Sequence, residues 1–550
     1  MNNWTLYSFK IMISSSHPSN TPAFHFSGCR SSVTGLRSAT NYGQLTTINQ
    51  QQSTIRFHKV LKYLCSALFL VSVITISANA QSDTTDLGSL TLKQCVAVAQ
   101  DNSPLAQSAR SALVASKWQY RSFQADLLPS FSLTGNAPNF NKSLFPNTLD
   151  NGQLTFSSRK QSNATTSLSI SQNIMPTGGT LSLSSGVTRL GIFRNENTYL
   201  WQSTPLVVSY QQPIFQFNNL KWQDRLEPLQ YKIAKKQFIQ QMEGIAVTVT
   251  QRFFDVYMDK INLENDRFNV TRNDSIYQIS KGRYNVGTIA ENDLLQTELA
   301  LRNAEASLSR TRLQYQSDLN NFKILLGYPT SVNLGITPPV KLPKLNIDVD
   351  RAQKLAIQNN SEALSYRLQE LQADRNYAQA KSNATFSATL DMNFGMNQIS
   401  NQFTQLYSNP ENREFLTLDF NVPIFNWGKE RAQIKAARNQ QEQVENNIEY
   451  HRRQFYQNVE ATVKQFMQLP KQVQLAAKAD TIARLRYNVA QDRYMIGKID
   501  ITNLFIAQNQ KDQARQGYIS ALRDFWIGWY ELRQMTLYDF QTGKPITYDR

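Results

Sequence analysis

The sequence repeats two landmarks at a constant offset of 210 residues. Pro213-Ile214-Phe215 returns as Pro423-Ile424-Phe425, and Arg283-Tyr284-x-x-Gly287 returns as Arg493-Tyr494-x-x-Gly497. Because both copies keep the same length between their landmarks, the sequence predicts two internal structural repeats of a rigid unit.

This duplication sets the expected domain boundaries. The first repeat is expected in residues 81–330 and the second in residues 350–538, each with a helix, strands and a long helical hairpin. Residues 331–349 are expected to form a linker and residues 539–550 a C-terminal tail.

Residues 1–80 have the pattern of an export signal that follows an N-terminal extension. Three basic residues precede an apolar run from Tyr63 to Ile76, which ends in Ala78-Asn79-Ala80. This order is typical of a cleaved secretory signal, and the run is short for a membrane span. We predict an exported protein that begins near Gln81. Because the signal lies far from Met1, the first 55 or so residues are expected to arise from a start codon assigned too early.

Composition excludes several classes of function. The 57 basic and 41 acidic residues are mixed along the predicted helices without a dense basic run, which predicts a solvated surface and no nucleic-acid partner. Beyond residue 80 only Cys95 and His451 remain of their types, and no Gly-x-Ser-x-Gly occurs. We therefore predict no catalytic, cofactor or metal site, and a protein that is not an enzyme.

Two stretches alternate between apolar and polar residues with the period of a β-strand. They cover residues 386–396 and 416–424, and similar patterns occur between Phe131 and Tyr210 in the first copy. Strands of about ten residues with one apolar face, in an exported chain, predict a transmembrane β-barrel. The alternative is an antiparallel sheet over a soluble core. The first copy has about 48 extra residues, enough for another hairpin near 163–204, so the strand count per chain stays open.

Long helices are predicted after each Pro-Ile-Phe. A helical pattern continues for about 65 residues up to each glycine, and a second helix returns to about Leu326 or Leu537. One such helix would reach ~100 Å. Apolar residues recur every 11 positions, as at Val444 and Phe455, which keeps the stripe nearly straight. Shorter helices are predicted near 91–125 and 350–382.

These features together resemble the TolC-type outer-membrane efflux proteins. The resemblance rests on residues 423–434, which begin Pro-Ile-Phe-Asn-Trp-Gly-Lys, on the paired turns and on the signal, and it covers residues 88–538. It implies a mixed α and β fold in which a homotrimer shares one barrel in the outer membrane and continues it as a periplasmic α-helical barrel. It also implies a periplasmic adaptor protein, an inner-membrane transporter and outer-membrane lipid as partners.

The resemblance places the candidate site at the periplasmic tip, where the two turns lie. We expect a gate or adaptor-docking surface there, built from Arg283, Tyr284, Gly287, Asp293, Arg493, Tyr494, Gly497 and Asp500. Tyr494 is predicted to hydrogen-bond Asp293 of a neighbouring turn. Asp293 matches an acidic position of the family, but Asn503 and Ile506 replace the acids of the second copy, so ion selectivity stays open.

The favoured function is a passive outer-membrane duct that exports small molecules or proteins delivered by an inner-membrane transporter. The alternative is an exported helical structural or adhesive surface protein. That alternative explains the helices and the signal, but neither the strand alternation nor the duplicated turn. The cargo cannot be named from these residues.

Overall fold

The structure is a computed structural model that describes residues 86–193, 197–343, 345 and 347–548. It has a mixed α and β fold, as predicted. The predicted signal and its cleavage site lie outside the described residues.

The chain starts with a short strand and two helices. These are β1 (Asp86–Thr91), α1 (Leu92–Asn102) and α2 (Pro104–Asp126). Ser103 separates the helices because its Oγ accepts a hydrogen bond from the Ala106 amide at 3.0 Å and so caps α2. Pro104 follows at the first helical position, where its missing N–H costs nothing.

Six strands then form one antiparallel sheet with the order β2-β3-β4-β5-β7-β8. They are β2 (Ser130–Thr148), β3 (Leu154–Ile174), β4 (Gly179–Phe193), β5 (Asn197–Ile214), β7 (Ser387–Ser400) and β8 (Glu411–Asn421). The first copy thus contributes four strands and the second copy two, which answers the open strand count. β8 ends at Asn421, before Pro423, which cannot donate to a strand ladder, so Val422 and Ile424, which were predicted to belong to this strand, lie beyond its end.

One face of this sheet, here called the apolar face, carries large exposed hydrophobic side chains. The register places Met392 opposite both Tyr210 and Leu416, and Leu183 opposite both Ile170 and Val208. The exposed members of this face are Phe131, Leu133, Leu168, Leu181, Leu183, Val208, Met392, Phe394, Leu416, Leu418 and Phe420. Asp391, Asn393 and Asp419 lie on the opposite face, as strand alternation requires.

Two helical hairpins of equal dimensions follow the two groups of strands. They are formed by α3 (Asn219–Asn285) with α4 (Glu291–Leu326), and by α7 (Lys429–Met495) with α8 (Ile501–Thr536). α3 and α7 have 67 residues each, and α4 and α8 have 36 each. The hairpins meet where α3 packs on α8, so α4 and α7 form the outer sides of the pair. Within the described chain, no helix combines the length and the apolarity needed to cross a bilayer.

Short elements connect the two copies. β6 (Asn333–Thr337) lies in the expected linker and pairs in parallel with β1. α5 (Val349–Asn359) and α6 (Ser361–Asn383) follow, separated by the cap residue Asn360 as Ser103 separates α1 from α2. The expected tail forms a small hairpin from β9 (Tyr538–Asp539) and β10 (Lys544–Pro545).

A buried ionic network ties the C-terminal segment to α3. Glu243 has no exposed surface, and its carboxylate accepts hydrogen bonds from Arg533 Nε at 2.8 Å, Arg533 Nη2 at 3.0 Å and the Tyr548 hydroxyl at 2.7 Å. Arg533 also lies 2.9 Å from Asp539. Burial and the neighbouring Glu243 raise the pKa of the Tyr548 hydroxyl, which keeps it a hydrogen-bond donor.

We predict that Glu243→Gln destabilises the protein by about 3 kcal/mol, because it leaves the Arg533 guanidinium buried with half of its charge compensation. Thermal unfolding of the detergent-purified protein should show a clear fall in midpoint. Glu298→Gln, which removes an exposed pair with Arg302 at 3.8 Å, is the matched control and should change nothing measurable. Equal midpoints for wild type and Glu243→Gln would contradict a stabilising role for this network.

Candidate functional site at the paired glycine turns

The two turns have the same backbone structure. Gly287 and Gly497 both have φ of +72°, and their amides donate to the carbonyls of Tyr284 and Tyr494 at 2.9 Å each. The next amide in each turn donates to the arginine carbonyl, Arg283 or Arg493, at 2.9 and 2.8 Å. A positive φ is easy for glycine and strained for other residues, so this helix ending explains why glycine recurs.

Three contacts join the ends of α3 and α7. Tyr494 is 6% exposed, and its hydroxyl lies 3.2 Å from the buried hydroxyl of Ser280 on α3. The Arg283 guanidinium lies 5.5 Å from the centre of the Tyr494 ring. Its Nη2 donates to the Met495 carbonyl at 3.2 Å. A hydrogen bond, a cation–π contact and a side-chain-to-backbone bond therefore hold the two hairpins together.

A cavity of about 420 Å³ lies beside these contacts, and residues of both turns line it. Five of the eight predicted site residues contribute to its wall, namely Arg283, Asp293, Tyr494, Gly497 and Asp500. Among the described residues no hydrogen bond joins Tyr494 to Asp293. The Tyr494 hydroxyl is paired with Ser280 instead, because Ser280 lies inside the α3–α7 contact whereas Asp293 lies beyond the turn on α4.

Asp500 has a local structural role. It precedes α8, and its carboxylate accepts hydrogen bonds from the Asn503 amide at 2.7 Å and the Asn503 side chain at 3.1 Å. It therefore caps the helix. In the first hairpin the equivalent cap position is Ala290, which makes no such bond. Asp293 lies in the first turn of α4, where a negative charge is favoured by the helix dipole.

The remaining predicted residues face solvent in the single chain. Tyr284 is 40% exposed, and Gly287 and Arg493 are also exposed. Tyr284 and Tyr494 occupy equivalent positions in equivalent turns. Tyr494 is buried against the first hairpin, whereas Tyr284 is not buried by the second.

The sequence reasoning missed Ser280 and the apolar cluster around Tyr494. This cluster contains Ile276, Tyr487, Tyr494, Ile501, Leu504 and Ala507. The position 210 residues after Ser280 is Ala490, so the duplication gave no signal for the serine hydroxyl. The cluster combines residues from three helices. Helix periodicity indicates the apolar face of each helix separately, so it does not predict which faces meet.

The sequence profile of the outer membrane efflux protein family matches residues 178–328 and 354–536. Each matched segment contains one complete helical hairpin with its glycine turn. The chain belongs to the outer membrane efflux protein family. Membership confirms the resemblance that the motifs indicated, and it implies an outer-membrane location.

Solved structures of similar fold include several bacterial channels. The Campylobacter jejuni CmeC outer membrane channel has a TM-score of 0.60 at 14% identity, covering 83% of this chain and 87% of its own. A membrane protein from Pseudomonas aeruginosa has a TM-score of 0.58 at 15% identity, covering 81% and 90%. VceC from Vibrio cholerae has a TM-score of 0.56 at 12% identity, covering 81% and 95%. No curated protein sequence gave a significant match.

The first helical hairpin also contains a partly buried acidic cluster between α3 and α4. Burial first, and then the neighbouring Asp318 and Asp255, raise the pKa of Asp259 to about 7. Asp318 accepts a hydrogen bond from Gln314 at 2.8 Å, and Arg523 of α8 lies 3.8 Å from Asp255. No group of described residues in this protein has the arrangement of a metal site.

The raised pKa predicts that stability depends on pH. In the folded protein Asp259 holds its proton more tightly than in the unfolded chain. Its contribution to stability is therefore complete below about pH 4 and is lost as pH rises through about 7. Asp318→Asn should lower the pKa of Asp259 and flatten the fall in melting temperature between these pH values. Asp274→Asn, at an exposed position of α3, should leave the slope unchanged. A steeper slope in Asp318→Asn would contradict this assignment.

Proposed function

We propose that the protein is the outer-membrane duct of a tripartite export system. Three copies would share one barrel in the outer membrane and one helical tunnel in the periplasm. The duct would pass small molecules or proteins without chemistry of its own, delivered by an inner-membrane transporter through a periplasmic adaptor. The observation that carries the proposal is an open six-stranded sheet with an apolar face, joined to two equal helical hairpins.

The open edges of the sheet argue for a shared barrel. Among the described residues β2 and β8 each pair with a strand on one side only, which leaves a row of backbone amides and carbonyls along each outer edge without a strand partner. In lipid each unpaired group costs several kcal/mol, so the sheet must close. Three copies joined β8 to β2 would contribute 18 strands. Barrels of 16–18 strands enclose an aqueous channel, with the apolar face towards lipid and Asp391 and Asp419 towards water.

The helices support the same assembly. Within the chain the first helix of one repeat, α3, packs on the second helix of the other, α8. The duplication predicts an equivalent contact between α7 of one copy and α4 of the next, because these helices form the outer sides of the hairpin pair. Exposed apolar side chains occur along both, namely Leu295, Leu299, Leu313 and Ile324 on α4, and Leu475, Ile482, Leu485 and Val489 on α7.

The same equivalence proposes a partner for the exposed tyrosine at the tip. An offset of 210 residues converts the Arg283–Tyr494 contact into a contact between Arg493 and Tyr284 of the next copy. A trimer would then have contacts within and between chains alternating around the tip. We propose that the eight candidate residues form this ring. Some of them would make its contacts, helix caps and turns, and the others would form the surface that faces the adaptor.

Cysteine pairs test the trimer directly. Asn262 and Gln516 hydrogen-bond at 3.0 Å across the α3–α8 contact, and their equivalents across the proposed interface are Gln472 and Ala306, both exposed. Gln472→Cys with Ala306→Cys should give covalent trimers on oxidation. Asn262→Cys with Gln516→Cys is the matched control and should stay monomeric on a denaturing gel. Cys95 will not interfere, because burial raises the pKa of its thiol to about 12.

The trimer would be rejected if the variant with cysteines at positions 472 and 306 gave monomers alone while the control pair formed its disulfide.

The tip contacts predict an effect on conductance. Arg283→Gln with Arg493→Gln removes the cation–π contact within the chain and its proposed counterpart between chains, each worth about 0.5–1 kcal/mol. We expect a higher single-channel conductance in planar bilayers and an unchanged yield of trimer. Arg484→Gln, at an exposed position of α7, should conduct as wild type. Unchanged conductance in the correctly inserted double variant would show that these arginines do not restrict the tip.

A further inference from the structure

The apolar face of the sheet ends in basic and aromatic side chains at the end away from the long helices. On β4, strict alternation places Arg189 and Phe193 on the same side as Leu183. The register then sets Trp201 opposite Arg189, and Lys160 opposite Phe193. Lys142 lies opposite Lys160 on the next strand. We call Lys142, Lys160 and Arg189, with Phe140, Phe193, Tyr199 and Trp201, the basic girdle.

The aromatic rings fix the position of Arg189. Its guanidinium lies 4.4 Å from the centre of the Tyr199 ring and 5.4 Å from that of Trp201. The Phe193 ring packs edge-on against Tyr199, with 6.3 Å between ring centres, and is tilted against Phe140 at 5.8 Å. The Arg189 Nε is buried without a hydrogen-bond partner among the described residues. A guanidinium held in a fixed position is suited to bind two oxygens of a phosphate group through its N–H donors.

The charges of the basic girdle are uncompensated within the described chain. Lys142 and Lys160 are exposed and directly opposite each other, an arrangement that is unfavourable for like charges unless an anion lies between them. No ion pair with the three cations occurs among the described residues. Among the acidic residues of the described strands, Glu414 lies on this face. It lies opposite Phe394, at the level of Leu183, and Leu183 is six residues along β4 from Arg189.

The height of the basic girdle matches the surface of a membrane. Arg189 lies ten residues from Gly179, the end of β4 nearest the helices. At about 3.4 Å per residue and a tilt of about 40°, this separation spans roughly 25 Å along the membrane normal. An apolar band of about 25 Å is typical of outer-membrane barrels, and aromatic residues and cations belong at its border. Lys160, level with Phe193, would lie about 10 Å further out, among lipid head groups.

We propose that the basic girdle binds the phosphate groups of an anionic lipid in the outer leaflet. Arg189 would bind one phosphate at the border of the apolar band, and the Lys142–Lys160 pair would share another further out. The inference rests on the proposed barrel, because only that arrangement turns this face towards lipid. The function of the site would be to fix the depth of the barrel and to hold a shell of lipid around each trimer.

The test uses the detergent-purified protein titrated with diphosphoryl lipid A and analysed by native mass spectrometry. In the triple variant Lys142→Gln, Lys160→Gln and Arg189→Gln, lipid affinity should fall about tenfold or more, because the attraction of three cations for anionic phosphate groups is lost. Arg159→Gln is the matched control, because Arg159 is next to Lys160 but points to the opposite face, so its affinity should equal wild type. Phosphatidylcholine, which carries no net charge, should bind all variants weakly and equally.

Three outcomes would overturn the proposal. They are wild-type affinity in the triple variant, an equal loss in Arg159→Gln, or displacement of lipid A by inorganic phosphate at comparable concentration, which would indicate a site for the free ion. If the triple variant does not insert, Lys160→Gln alone carries the test, because its side chain is exposed. Conductance separates this inference from the proposed function. A conducting wild type without girdle-dependent lipid binding rejects only the lipid site, and a wild type without conductance rejects the duct.

Discussion

The structure depends on where the unpaired backbone groups of the β-sheet find partners. β2 and β8 are open along their outer edges, and the face between them is covered with exposed leucine, phenylalanine and valine side chains. A chain with such a face cannot satisfy both constraints alone, because water is unfavourable for the side chains and lipid is unfavourable for the amides. The proposed trimer would satisfy both constraints, because copies of the chain would close the sheet together.

The helical hairpins also have apolar surfaces that need partners, and only one pair of these surfaces is buried within the chain. α3 and α8 bury each other, and at the tip Arg283 and Ser280 of α3 contact Tyr494 of α7. Other apolar residues of α4 and α7 stay exposed. The duplicated sequence makes this asymmetry informative. In the proposed trimer the two equivalent surfaces differ in burial because one has its partner inside the chain and the other would find its partner in a second chain. The exposed ring of Tyr284 and the buried ring of Tyr494 express the same difference at the scale of one residue.

Much of the fold was predictable because periodicity reports it directly. Strand alternation, helix length and the glycine turns are local properties, and β7, α3, α7, Gly287 and Gly497 all follow the patterns read from the sequence. Tertiary choices were not predictable. The boundaries between α1 and α2 and between α5 and α6 depend on the caps Ser103 and Asn360. β6 forms because β1 lies beside it, and the Tyr494 hydroxyl pairs with Ser280 of a different helix. A hydroxyl or a carboxylate has several acceptable partners, and only packing selects among them.

The differences between the two copies show which parts of the duplicated unit could change. The first copy carries four sheet strands and the second two, while the helices keep 67 and 36 residues in both. In the proposed barrel an inserted hairpin would only widen the closed sheet, because every added strand would be paired on both sides. A change in helix length would move one glycine turn away from the other and break the contacts of Arg283 and Tyr494. The proposed assembly would therefore let the sheet grow while the helices could not, and the width of its channel in the membrane would be independent of the geometry at the tip.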